Sequence, residues 1–146
     1  MEHLILLVED SDEDYVAMQR VLQKTQPIQC LLHRCANAKQ ALAFLEHTSN
    51  AQSLSLTLPS LILLDLNLPA MSGRELLVRL KQDVRFKQIP IIALTTSSNP
   101  RDIVDCYRQG VNSYQIKPVN FEKFASAIQS LIAYWFGTAT LPSFQS

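Results

Sequence analysis

Glycine is scarce in this chain: Gly73, Gly110 and Gly137 are the only three in 146 residues. They lie too far apart for a G-x-G-x-x-G turn or a G-x-x-x-x-G-K loop, which excludes a glycine-rich backbone cradle for nucleotide phosphates. Cysteine is equally sparse. Cys30, Cys35 and Cys106 are odd in number and have no paired zinc spacing, so they read as reduced and structural. Cys30 and Cys35, five apart in a strand-like run, face opposite sides of it. The three histidines, His3, His33 and His47, are scattered without an acidic partner at ligand spacing, which argues against a histidine metal centre. There is no net charge, with 13 basic residues against 13 acidic, and no basic block of the kind that direct DNA binding requires. No apolar run approaches the roughly 20 residues of a membrane-spanning helix, and no signal peptide precedes Leu4. A cytoplasmic protein without membrane contact is expected. Repeats and low-complexity tracts are also missing, and the length fits one domain.

What remains is a fivefold alternation of apolar runs with helix-period segments. Leu4–Val8 reads as a strand, followed by a helix with Ser11 as N-cap and Asp14 three residues on, a capping-box pattern. Ile28–Cys35 is a second, more amphipathic strand, which places it nearer a sheet edge. Asn37 can cap a second helix through Ala41, Leu42 and Leu45, and Thr48–Leu58 reads as a Ser/Leu-rich loop. Leu61–Leu64 is apolar at every position, as in a strand buried on both faces. Ser72-Gly73 opens the third helix after a turn at Pro69. Ile89–Thr95 is the fourth strand, Asn99-Pro100 supplies an N-cap with proline at the first helical position, and Gly110 ends that helix. Ser113–Ile116 is a short fifth strand, and Asn120 caps a last helix to about Phe136. A (βα)5 alternation with short loops demands a parallel sheet covered by helices with right-handed crossovers. The expected fold is α/β, a flavodoxin-like doubly wound five-stranded parallel sheet of order 2-1-3-4-5.

That order brings the C-terminal ends of strands 1, 3 and 4 to one crevice. Strand 1 ends in Glu9-Asp10, strand 3 in Asp65, strand 4 in Thr95, and strand 5 is followed by Lys117-Pro118. Glu9, Asp10 and Asp65 would crowd three carboxylates together. Two unit charges 4 Å apart repel by about 4 kcal/mol at an effective dielectric of 20, and Lys117 offsets only one of them. Clustered hard oxygens with room for water suit Mg²⁺. Asp65 is then a plausible nucleophile toward phosphorus, with Thr95 and Lys117 each able to meet a phosphoryl oxygen. Taken singly, each residue has a plainer use: Glu9-Asp10 can favour the following helix dipole, Thr95 can be a β-former and Lys117 a solvated charge. Four such accidents at four neighbouring strand ends are improbable.

At these residues the chain resembles the response-regulator receiver domains of bacterial two-component signalling. Glu9-Asp10, the segment LILLDLNLP around Asp65, Thr95, Lys117-Pro118 and the aromatic Tyr114 match that pattern in order and spacing from about Leu4 to Phe136. The resemblance implies that Asp65 is the phosphoacceptor for a histidine kinase. It implies that Asp10, Asp65 and the Asn67 backbone carbonyl hold Mg²⁺, with Glu9 acting partly through water. It gives Thr95 and Tyr114 the conformational switch, and it implies a protein that catalyses only its own phosphorylation and dephosphorylation. Residues 1–136 would be the receiver domain and 137–146 a C-terminal tail, so that output is partner binding. A narrower likeness, carried by DLNLP, LTTS with the following Asn-Pro, and the Tyr134-Trp135-Phe136 to Thr140-Leu141-Pro142 stretch, is to small regulators of cyanobacterial phytochrome histidine kinases.

A haloacid-dehalogenase-type phosphatase is the rival. It wants a second Asp two residues after the nucleophile, where this chain has Asn67, and its acidic pair follows the nucleophile instead of preceding it. A structural interaction domain with a dead pocket fits poorly with an intact acceptor, acidic pair, Thr and Lys. One surface expectation remains. Phe121, Phe124, Ala125, Ile128, Leu131, Ile132, Trp135 and Phe136 fill an arc of the last helix that can face the sheet, and Ala127 and Tyr134 extend it beyond the ~100° stripe a surface helix needs. With Ile103, Val104 and Tyr107 of the preceding helix this excess marks a homodimer face, unless Leu141, Pro142 and Phe144 of the tail cover it.

Overall fold

A computed structural model describes residues 3–25, 28–50 and 58–142. Five parallel strands, β1 (His3–Val8), β2 (Cys30–Cys35), β3 (Leu61–Leu64), β4 (Ile91–Thr95) and β5 (Ser113–Ile116), form one sheet of order β2-β1-β3-β4-β5. The helices α1 (Asp12–Lys24), α2 (Ala38–Asn50), α3 (Gly73–Gln82), α4 (Pro100–Arg108) and α5 (Phe121–Ile132) alternate with them. This is the flavodoxin-like order expected from the sequence.

The strand sequences explain the sheet. Every residue of β3 and β4 is buried, because these central strands pack helices on both faces. On one side Leu6, Val8, Ile62, Leu64 and Ala93 meet α2 and α3 through Leu45, Leu76, Leu77 and Leu80. On the other Ile5, Leu7, Leu61, Leu63, Ile92 and Leu94 meet α1 and α5 through Met18, Val21, Phe124, Ile128 and Leu131. Cys35 belongs to the first layer and Cys30 packs against the second, on opposite faces of β2. All three cysteines are free.

Side-chain caps fix where the helices begin. Asn37 Oδ1 accepts from Gln40 N–H at 2.8 Å, Ser72 Oγ from Glu75 N–H at 3.2 Å, Asn99 Oδ1 from Arg101 N–H at 2.9 Å and Asn120 Oδ1 from Lys123 N–H at 3.1 Å.

Several boundaries differ from expectation. β2 starts at Cys30, two residues later than the apolar run. β4 starts at Ile91 because Pro90 has no N–H to give the ladder, although its carbonyl still accepts from Ile62 N–H at 2.9 Å. α2 continues through Thr48, Ser49 and Asn50, the first part of the expected loop: the Thr48 and Ser49 hydroxyls bond back to the Leu45 and Glu46 carbonyls, and Thr48 is buried. Residues 51–57 of that loop lie outside the described residues, as does Phe144 of the tail. α5 ends at Ile132 and widens into a π-helical stretch, Ala133–Thr138, with Phe136 stacked on His3 at 4.1 Å between ring centroids. Phe121 does not face the sheet. It lies on the surface with the Arg20 guanidinium over its ring.

Candidate phosphorylation site

Register sets the site. Val8 pairs with Leu64 and Leu64 with Ala93, so β1, β3 and β4 end nearly level. Beyond the last pairs, Glu9 N–H bonds to Cys35 O at 3.0 Å and Asp65 N–H to Val8 O at 3.0 Å, carrying both acids just past the sheet edge. Glu9, Asp10 and Asp65 each offer a carboxylate oxygen within 4.8 Å of the others. Glu9 and Asp65 are buried and Asp10 is exposed, so the cluster opens to water on one side. Burial first, and the Asp65 carboxylate after it, push the Glu9 carboxyl up to about 7 against the opposing pull of Lys117. Acid-rich, lined by hard oxygens and open to water on one side, the pocket fits a divalent cation by the chemistry of its donors.

Gly73 makes the loop after Asp65 possible. Its N–H bonds to Leu66 O at 3.1 Å, and a Cβ there would lie 2.7 Å from Leu66 Cα and collide with the Asp65 carbonyl. Ala70, in the same loop, takes a left-handed φ of 62°. Asn67 is exposed, and its N–H donates to Asp65 Oδ1 at 3.0 Å, which orients the carboxylate.

Lys117 closes the pocket from β5. Its backbone N–H bonds to Thr95 O at 2.7 Å, and its ammonium donates to Glu9, to Asp14 Oδ2 at 2.7 Å and to Asp65 Oδ2 at 3.1 Å. Burial works against its charge, but the bonds to Asp14 and Glu9 outweigh it and hold the ammonium above the ordinary lysine range. By charge Lys117 offsets only one carboxylate, but its ammonium bonds to three. Asp14 was expected to return a capping-box bond to Ser11. Only half of that box forms: Ser11 Oγ accepts from Asp14 N–H at 3.2 Å, while Ser11 N–H goes to Glu9 Oε2 and the Asp14 carboxylate turns to Lys117.

Thr95 is fully buried at the end of β4. Next to it, Ser97 gathers contacts that the sequence reading missed. Its carbonyl accepts from the Tyr114 hydroxyl at 2.8 Å, and its own hydroxyl donates to Asp102 Oδ2 at 2.7 Å. Arg74 of α3 reaches across to Asp102 at 3.5 Å and Asp105 at 2.8 Å. Tyr114 N–H donates to the Tyr107 hydroxyl at 3.2 Å. The one available signal was the hydroxyl two residues beyond the strand-end threonine. Of the expected surface residues, Val104, Tyr107 and Tyr134 are exposed, whereas Ile103 and Ala127 are half-buried.

A buried strand-end aspartate, an acidic pair, a strand-end threonine and a lysine on one parallel-sheet edge define a class, and comparison with known proteins agrees. The response regulator receiver domain family matches residues 5–129, and the chain belongs to it. It is a phospho-accepting response regulator, fed by a histidine-kinase-type donor, that catalyses only its own phosphorylation and dephosphorylation. Among relatives, it is 40% identical over 140 residues to response regulator Rcp1 of Synechocystis sp., covering 96% of this chain and 93% of Rcp1. Among solved structures it is similar to the phosphorylated cyanobacterial phytochrome response regulator RcpA (TM-score 0.85, 35% identity, 98% of this chain and 100% of that one). It is likewise similar to the Mn²⁺-bound form of Rcp1 (TM-score 0.82, 37% identity, 97% and 99%). No helix among the described residues is long and apolar enough to cross a membrane.

Proposed function

We propose that Asp65 is the phosphoacceptor and that a phytochrome-type histidine kinase is the donor. The observation that carries the site assignment is the convergence of Glu9, Asp65 and Lys117 at one sheet edge, with Asp10 beside them. In this reading Asp65 attacks the phosphorus of a phosphohistidine, the P–N bond breaks, and the imidazole leaves with its electron pair. Lys117 and Thr95 meet the phosphoryl oxygens, which carry charge that buried donors stabilise. Glu9, Asp10, Asp65 and the Asn67 backbone carbonyl hold Mg²⁺, which when bound neutralises the remaining phosphoryl charge. Thr95 and Tyr114 transmit the change, and Ser97 joins them because its carbonyl receives the Tyr114 hydroxyl.

The phytochrome pairing draws support from likeness to Rcp1 and RcpA along nearly the whole chain. Residues 1–136 then act as the receiver and 137–146 as a tail, in the cytoplasm beside the kinase. The exposed residues Val104, Tyr107 and Tyr134, with the half-buried Ile103 and Ala127, supply a homodimer face. The test is phosphotransfer from a labelled phytochrome-type histidine kinase. Label passes to the wild type with Mg²⁺, and neither to Asp65→Asn nor in EDTA. Undiminished label on Asp65→Asn overturns the acceptor, and faster transfer from kinases of other sensor types overturns the pairing.

A further inference from the structure

The Lys117 ammonium has three protons and meets three carboxylates, yet only two of them belong to the acidic cluster that suits a cation. The third, Asp14, comes from the first turn of α1. We propose that Asp14 is a positioning residue that holds Lys117 in place during phosphoryl transfer, an inference that rests on Asp65 as acceptor.

The other two partners have competing duties. When Asp65 bonds to phosphorus, the donor's bond to that phosphorus breaks, the leaving group departs with its electron pair, and Asp65 exchanges its carboxylate charge for an acyl phosphate. Its hold on the lysine weakens at the moment the lysine is needed. Glu9 sits among the cation-binding oxygens. Asp14 has neither task, and its backbone is fixed because Asp14 N–H is bound by Ser11 Oγ at 3.2 Å. A lysine stem is flexible, so an ammonium tethered at 2.7 Å needs to move little to pass from Asp65 to a phosphoryl oxygen. The Lys117 side chain is only 8% exposed, so solvent does not substitute for this partner.

A purely electrostatic role for Asp14 predicts the opposite outcome. Extra negative charge would repel an anionic donor, and its removal would speed the reaction. The Asp14 side chain is 43% exposed, which screens that repulsion, whereas misplacing a reacting group by about 1 Å can cost on the order of a hundredfold.

The experiment measures self-phosphorylation of the full chain with acetyl phosphate and Mg²⁺. Asp14→Ala is expected to slow it by about tenfold or more, and Asp14→Asn, which keeps the size and one acceptor oxygen, by less. Asp12→Asn, which removes a neighbouring acid that pairs with Arg34 instead, should match the wild type. In a Lys117→Ala background Asp14→Ala should change nothing further. A second readout is the Lys117 ammonium signal in ¹⁵N NMR, shielded from exchange in the wild type and lost in Asp14→Ala while the backbone spectrum stays folded. Rates in both Asp14 variants equal to or above wild type, or a further loss in the double variant, overturn the proposal. Persistence of the ammonium signal in Asp14→Ala also overturns it. Label surviving Asp65→Asn in the same assay would instead overturn the acceptor beneath it.

Discussion

Glu9 carries the pocket's pH dependence. Its carboxyl is pushed up to about 7, chiefly by burial, so between its ordinary 4.5 and about 7 the folded chain keeps a proton that the unfolded chain has released. The stability this contributes is complete below 4.5 and is lost as pH rises through about 7, in the metal-free protein. In the proposed site a cation competes with the same proton, so Mg²⁺ affinity should climb from about pH 5 to about pH 7, by at most about tenfold per pH unit, and level off above. Calorimetric titration at several pH values checks this; an affinity flat across the range would contradict it. The acidic residues of the pocket were legible in the sequence because each ends a strand. Asp14 was not. A carboxylate three residues after an N-cap satisfies the local capping rule, and only the arrival of Lys117 from β5 redirects it.

At the scale of elements, the loop between β4 and α4 is tied down by α3. Arg74 holds Asp102 and Asp105, Asp102 accepts from Ser97, and the Ser97 carbonyl receives Tyr114. These ion pairs are about one-third exposed, so each contributes only about 0.5 kcal/mol to global stability. Their consequence is local. Arg74→Ala should leave the urea midpoint almost unchanged while amide exchange at residues 96–99 quickens several-fold; a large midpoint shift with unchanged exchange there would contradict this division. Strand and helix identities were readable throughout, since continuous apolar runs mark β3 and β4 and cap residues mark the helix starts. Two of the missed boundaries share one kind of cause, a local signal overruled by the bonds the backbone makes or cannot make. Thr48 and Ser49 read as loop formers until their hydroxyls fold back on α2, and Ile89 reads as strand until Pro90 removes a ladder donor.

For the whole molecule, sheet order decides what the surface can do. β5 is an edge strand whose Ile116 is about half exposed, as are Val104 and Tyr107 of the adjacent α4 and Tyr134 beyond α5. Exposed apolar area beside an unpaired edge favours self-association. The dimer proposed from this face should appear in sedimentation at tens of micromolar protein and dissociate on Tyr107→Glu; a monomer under all conditions, including phosphate on Asp65, would contradict it. Helix amphipathicity pointed to an apolar flank here, of which Ile103 and Ala127 are half-buried, and Phe121, expected against the sheet, lies under Arg20 instead. In the proposed switch the molecule carries one phosphoryl group, on Asp65. Borohydride reduction of the protein after phosphorylation tests it most directly, because an acyl phosphate is reduced to the alcohol and leaves homoserine at the modified position. Peptide sequencing should find homoserine at position 65 alone, and only in samples phosphorylated with Mg²⁺. Homoserine at position 10 or 14, the one-carbon-longer 2-amino-5-hydroxypentanoic acid at position 9, or neither product in a protein that has taken up phosphate, would contradict this assignment.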